Sequence, residues 1–310
     1  MKLRYCQIDG GNFGDDLNTW LWPTLLGDSF LDENDAEWFL GVGSILSHDL
    51  PQESRKIVMG SGTGYKRPPV VDESFDVFCV RGPHTAAAMS LPPEKGIADG
   101  AYLCLATERF REIAKLQKTH RAAIVPHHQS VETIDWERIA DSGDLKFVDP
   151  RRHFFDVFEQ IARAECVLAE SLHGAIIADA LRVPWKPFRI GHRFNLFKWN
   201  DWFASIEVTD CEILEYPILW NREVSLSTHL KHRLKRACGQ AFNKYRWKQR
   251  PLRKSTPAEF DQFAQELSDV AKQEQFFLSS DETLHRIEER LLSCLADLSA
   301  RYGQSLKSAA

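Results

Sequence analysis

The chain has 310 residues, with 39 Lys+Arg against 44 Asp+Glu, a formal net charge of −5 and a mean hydropathy of −0.35. These values exclude a collagen-like or wholly disordered chain and argue against a basic nucleic-acid binder; the length suggests two domains. No apolar run approaches the roughly 20 residues of a spanning helix, and the segment Met1 to Asp9 has no apolar stretch of a secretory leader.

Leu3 to Ile8 predicts a strand, followed by the glycine loop Gly10-Gly11-Asn12-Phe13-Gly14 and a helix through Leu17, Trp20, Leu21 and Leu25. Trp38–Val42, Lys56–Met59 and Phe75–Val80 predict three more strands. They run into Gly41-Val42-Gly43-Ser44, Gly60-Ser61-Gly62-Thr63-Gly64 and Arg81-Gly82-Pro83-His84. Thr85 to Met89 and Glu108 to Lys118 predict helices. A second block brings strands at Ala122–Val125, Leu145–Val148, Cys166–Ala169 and, last, Val183–Phe188, with helices over Phe154–Ala164 and Leu172–Ala180. Strands that repeatedly end in glycine loops predict parallel α/β sheets. The expected fold class is α/β, with two Rossmann-like domains facing a cleft, 1–120 and 121–210, and a C-terminal helical extension, 211–310.

Within that extension, 229–254 carries ten Lys and Arg residues, while Leu230, Leu234, Ala237, Ala241 and Tyr245 recur at three- or four-residue spacing. That pattern predicts a basic amphipathic helix. Pro257 then opens an acidic helix to about Gln275, and a last helix starts at Ser280-Asp281 with Leu284, Ile287, Leu291, Leu295 and Leu298 as its stripe.

The seven cysteines are scattered without zinc-site spacing and read as reduced thiols of a cytoplasmic protein, so no metal is expected. The glycine loop carries Asn12, Asp15 and Asp16. Its backbone can approach an anion, whereas its carboxylates would repel one, cap the helix, orient a sugar hydroxyl or hold a basic neighbour. It is not a phosphate loop, because no Lys follows the glycines, and no G-x-G-x-x-G fingerprint is complete. Arg81, directly after a strand, either binds a phosphate or carboxylate in the crevice or pairs with Asp99 or Asp76. His173, between a strand and a wholly apolar helix, is a general acid/base candidate that the helix N-terminus would keep neutral. Ser61, His127, His128, Ser171, Arg193 and Lys198 complete the candidate substrate-binding set. These cationic groups point to a small anionic substrate.

The ordered series Gly-Asn-Phe-Gly-Asp-Asp-Leu (11–17), Gly-Val-Gly-Ser-Ile-Leu (41–46), Gly-Ser-Gly-Thr-Gly (60–64), Val-Arg-Gly-Pro-His-Thr (80–85), Ala-Asp-Gly-Ala (98–101) and Ser-Leu-His-Gly (171–174) resembles the polysaccharide pyruvyl transferase family. Within it, the bacterial exopolysaccharide ketal pyruvate transferases of succinoglycan type are the most similar. The resemblance covers roughly residues 1 to 205 and lies in the order of the motifs. It implies a two-domain fold similar to GT-B glycosyltransferases, and pyruvylation of a sugar as a cyclic ketal. Phosphoenolpyruvate would be the co-substrate, and no further cofactor is implied. It also implies that Arg81 holds the donor and that His173 is the catalytic acid/base. Ser171 departs from the family, where arginine is common, and Arg193 or Lys198 would have to replace that cation. The implied acceptor is a lipid-linked oligosaccharide. The basic segment 231–254 is then either a contact with an anionic membrane at the inner face of the plasma membrane or a solvated helix paired with the acidic one. Two rival readings stay open: a GT-B-like glycosyltransferase using a nucleotide sugar, and a non-catalytic glycan-binding protein of the same fold.

Overall fold

The computed structural model describes residues 1–32, 35–191, 194–241, 251–273 and 275–302. Its first sheet is parallel and in chain order: β1 (Lys2–Arg4), β2 (Glu37–Leu40), β3 (Arg55–Met59) and β4 (Phe75–Cys79). Phe39, Leu40, Ile57, Val58 and Met59 are fully buried, so both faces of these strands are covered. That accounts for their continuous apolar runs. Helices α1 (Phe13–Asp16) and α2 (Asn18–Leu26) connect β1 to β2. After β4 come α3 (Pro83–Ala88), a buried 3-10 helix at Gly100–Ala106 and α4 (Glu108–Ala114). The first strand is shorter than expected: β1 ends at Arg4 opposite Leu40, where its partner β2 turns away at Gly41.

The second sheet is parallel in the order β6-β5-β7-β8-β9. It is built from β5 (His120–Val125), α5 (His128–Val131), α6 (Trp136–Gly143), β6 (Lys146–Phe147), α7 (Phe154–Ala162), β7 (Ala164–Ala169), α8 (Leu172–Ala180), β8 (Trp185–Ile190), α9 (Leu196–Ser205) and β9 (Leu214–Tyr216). Val183–Phe188 is therefore not the last strand. β9 adds one more, pairing Leu214 with Phe188 and Tyr216 with Ile190. The chain leaves β5 for β6 on one side and then returns to β7 on the other. This reversal opens a crevice beyond the carboxyl ends of β5 and β7, where open α/β sheets take ligands.

Among the described residues, three helices follow: α10 (Leu226–Ala241), α11 (Pro257–Ala271) and α12 (Asp281–Arg301). Thr256 and Glu259 form a capping box at the start of α11, which packs on α6 and buries Phe260, Phe263 and Leu267 with Ile124, Leu168 and Phe188. The stripe Leu284, Ile287, Leu291, Leu295 and Leu298 of α12 lies against the 3-10 helix and β4, so the chain returns to the first sheet. One apolar cluster runs through both sheets, from Met1 to Leu298. The basic helix begins at Leu226. Lys244, Arg246, Lys248 and Arg250 lie outside the described residues.

Asp179 of α8 ties these parts together. Its buried carboxylate accepts from Tyr102 Oη at 2.9 Å, Trp185 Nε1 at 3.0 Å, and Ser279 N and Oγ at 2.8 and 2.7 Å. Removing it strands four donors without water. Asp179→Ala is expected to lower the unfolding free energy by about 3–5 kcal/mol in denaturant titration, while an exposed control such as Asp141→Ala changes it by less than about 0.5 kcal/mol.

Candidate functional site

A cavity of about 290 Å³ lies where the carboxyl ends of the two sheets meet. The first sheet contributes Asn12, Asp15, Ser44 and Tyr65; the second contributes His127, His128, Ser171 and His173; Lys198 enters from α9. Sequence reasoning missed Tyr65, Ser44 and Gln129 as lining residues.

His173 is the second residue of α8, and Ser171 is the N-cap, accepting from the Gly174 amide. The serine that replaces the expected arginine thus ends a helix at the cavity wall. The imidazole sits so close to α1 that a Cβ on Gly14 would fall 2.0 Å from its Nδ1, so Gly14 is required for close approach. Its Nε2 lies 3.9 Å from Asp99 Oδ2, and neither atom has a hydrogen-bond partner. Burial lowers the His173 pKa to about 3, helped by the positive charges of Lys198 and Arg81. Burial likewise raises Asp99 to about 6, against the opposing pull of the Ala101 amide, Arg81 and Lys198.

Asp15 is also buried, and that burial raises its pKa to about 7 despite Lys198 and the Asn12 amide. Near neutrality it is thus substantially protonated, which removes much of the repulsion expected for an anion at this loop. Asp16 points elsewhere, accepting from the backbone N–H of Asn12 at 2.9 Å, and closes the loop. Lys198 Nζ bonds Tyr65 Oη at 3.0 Å. His127 caps α5, its ring tilted by 34° to that of His128 with centroids 4.2 Å apart, while its backbone amide donates to Glu170. Among the described residues, no group of three or more His, Cys, Asp or Glu is gathered around a metal position.

Two expected ligand contacts are placed elsewhere. Ser61 is fully buried and donates to the Gly41 carbonyl, holding two strand ends together. Arg81 has no exposure: Nε donates to Asp201 at 2.9 Å, Nη1 to Ser44 Oγ at 2.7 Å and Nη2 to the Thr63 carbonyl at 2.6 Å. Its partner is Asp201 of α9, neither Asp99 nor Asp76, and the latter pairs with Arg301. Arg81 therefore reaches the cavity only through Ser44 and acts as a positioning residue. Arg193 lies outside the described residues.

Breaking a buried pair leaves an uncompensated charge, whereas replacing both partners does not. Arg81→Ala is expected to cost about 3–5 kcal/mol in denaturant titration, and the double variant Arg81→Met, Asp201→Leu less than either single change. Asp15 gives a pH signature. Its folded pKa of about 7 lies above the 3.8 of an unperturbed carboxyl, so the folded state holds the extra proton between these values. Stability contributed by Asp15 therefore falls as pH rises from about 4 to 7. Asp15→Asn is expected to raise the calorimetric unfolding midpoint at pH 8 and leave it nearly unchanged at pH 4.

Over 212 residues, 67% of its length, the chain is 41% identical to the succinoglycan biosynthesis protein ExoV of Rhizobium meliloti (strain 1021), covering 66% of that protein. The match thus spans just under two thirds of the relative's own length. No protein-family profile and no solved structure matches the chain. Over that stretch the chain is thus similar to a protein of succinoglycan biosynthesis.

Proposed function

We propose that the chain is a transferase of exopolysaccharide biosynthesis that moves pyruvate from phosphoenolpyruvate onto two hydroxyls of a sugar as a cyclic ketal, releasing phosphate. Its two sheets serve as two α/β domains of GT-B-like arrangement, divided near residue 120, and the acceptor is a lipid-linked oligosaccharide. The observation that carries this reading is the inverted pair in the cavity: an acid, Asp15, held protonated near neutral pH, and a base, His173, held unprotonated. Environments that push two pKa values apart in this way assign acid and base roles. The cavity of about 290 Å³ suits a small anionic donor better than a nucleotide sugar.

In this mechanism Lys198 meets the donor's charge, and the Asn12 amide and the rings of His127 and His128 orient it. Protonation of the methylene carbon, with Asp15 as the acid, leaves an oxocarbenium-like centre that one sugar hydroxyl attacks. The neutral His173 takes the proton of the attacking hydroxyl. The second hydroxyl then displaces phosphate and closes the ketal. Of the two hydroxyl protons, one balances the new methyl group and the other leaves with phosphate. Asp99, its Oδ2 3.9 Å from Nε2 and not hydrogen-bonded to it, supplies negative charge that stabilises the imidazolium as it forms.

Calorimetry with phosphoenolpyruvate, paired with phosphate release in the presence of acceptor, tests the proposal. Wild type is expected to bind the donor and Lys198→Ala at least tenfold more weakly. Asp99→Asn is expected to bind normally but turn over on the order of 100-fold more slowly. Binding of a nucleotide sugar without phosphoenolpyruvate would favour the glycosyltransferase reading; glycan binding without phosphate release would favour a non-catalytic protein.

A further inference from the structure

The helix α10 presents an apolar stripe that stays exposed among the described residues. Leu226, Leu230 and Leu234 recur every four residues and are 90%, 61% and 61% exposed, in a chain whose other leucine stripes are buried. The opposite side of the helix is fastened: His229 Nδ1 lies 2.8 Å from the Leu252 carbonyl and His232 Nδ1 2.7 Å from the Pro251 carbonyl. At 100° per residue, the three leucines fall within an arc of about 80°, with Arg233 on one flank and Lys231 on the other. Lys235 stands further round. No Asp or Glu occurs between Leu226 and Ala241, although the chain as a whole is acidic.

We propose that α10 is an in-plane anchor that docks this protein on an anionic lipid surface, with the leucines in the acyl boundary and Lys231, Arg233 and Lys235 at the headgroups. The charge pattern favours lipid over a second copy: pairing two such stripes would bring like charges together, whereas anionic headgroups compensate every one of them. Basic side chains at the edges of an apolar stripe can keep their heads in the polar layer while their stems cover hydrocarbon. The helix does not cross the bilayer; no helix among the described residues is long and apolar enough to do so. The anchor is also joined to the cavity. Residue Asn221, just before the helix, donates its amide to the Thr133 carbonyl at 2.8 Å, two residues beyond α5, whose first residues line the site. Docking therefore fixes the cavity's position relative to the lipid surface.

Sedimentation of the full chain with vesicles tests this independently of the donor chemistry. Wild type is expected to co-sediment with vesicles of mixed phosphatidylcholine and phosphatidylglycerol, to stay in solution with phosphatidylcholine alone, and to be released by salt. The triple variant Lys231→Gln, Arg233→Gln, Lys235→Gln is expected to partition on the order of 100-fold more weakly. Leu230→Ser with Leu234→Ser is expected to lose at least tenfold. Neither variant should shift the thermal midpoint, because all five side chains lie outside the core. Wild type that remains in the supernatant with anionic vesicles, or variants that bind as wild type does, would overturn the proposal. So would a dimer, detected by sedimentation velocity, that the leucine variant dissolves while vesicle binding is absent, since the stripe would then belong to a second copy.

Discussion

The buried pair of Arg81 and Asp201 is the constraint around which the site is assembled. The arginine leaves the end of β4 and the aspartate comes from α9, 120 residues later in the chain. Asp201 also accepts from Thr85 N at 2.9 Å and Thr85 Oγ1 at 2.5 Å, so one carboxylate caps α3 and neutralises the guanidinium. A charge pair of this kind contributes little net stability but tolerates little displacement, because each partner alone is costly to bury. The glycines around it follow from that demand. A Cβ on Gly62 would meet the guanidinium at 2.3 Å and one on Gly82 the Asp201 carbonyl oxygen at the same distance. By locating α9, the pair also locates Lys198 three residues before Asp201, across the cavity from His173.

Burial does the rest of the electrostatic work. The same low-dielectric surroundings that raise Asp15 to about 7 and Asp99 to about 6 lower His173 to about 3, because each charged form loses its water. Lys198 supplies a positive field that opposes the two carboxyl shifts and reinforces the histidine shift. In such a cavity an acid and a base can stand close together with both in their neutral forms. Such an arrangement destabilises the empty protein, and the carboxyl of Asp15 carries much of that cost.

The strands and their glycine ends were legible because parallel strands covered on both faces leave continuous apolar runs, and close approach at their ends admits only glycine. That His173, His127 and His128 face the crevice was legible for the same reason, because the carboxyl ends of such strands open on it, whereas Lys198 reaches it from α9. What could not be read was pairing over distance. Arg81 next to a strand end looks the same whether it meets a ligand or Asp201, and nothing local marks Asp201 as its partner. Asp99 offered a weak signal, a carboxylate in the apolar stretch from Ile97 to Leu105 with no basic residue beside it. The three residues of β9 are too few to establish a period, and only the free edge of β8 makes them a strand. Ser171 shows the reverse case, a departure from an expected motif that reads locally as a good helix cap.

The C-terminal residues show why an extension by sequence need not be an appendage. The stripes of α11 and α12 are spent on opposite halves of the molecule, one against α6 and the other against β4. Together with the Asp179 cluster, they fix the second sheet relative to the first, and a cavity built from both sheet ends requires that relation. The stripe of α10 has no such use among the described residues. In a chain that buries its other leucine rows, an exposed row bordered only by positive charge is costly in water, and a surface that is apolar below and anionic above removes that cost. The folded core answers this physical demand by packing against itself, and the proposed docking on lipid would answer it for the exposed stripe of α10.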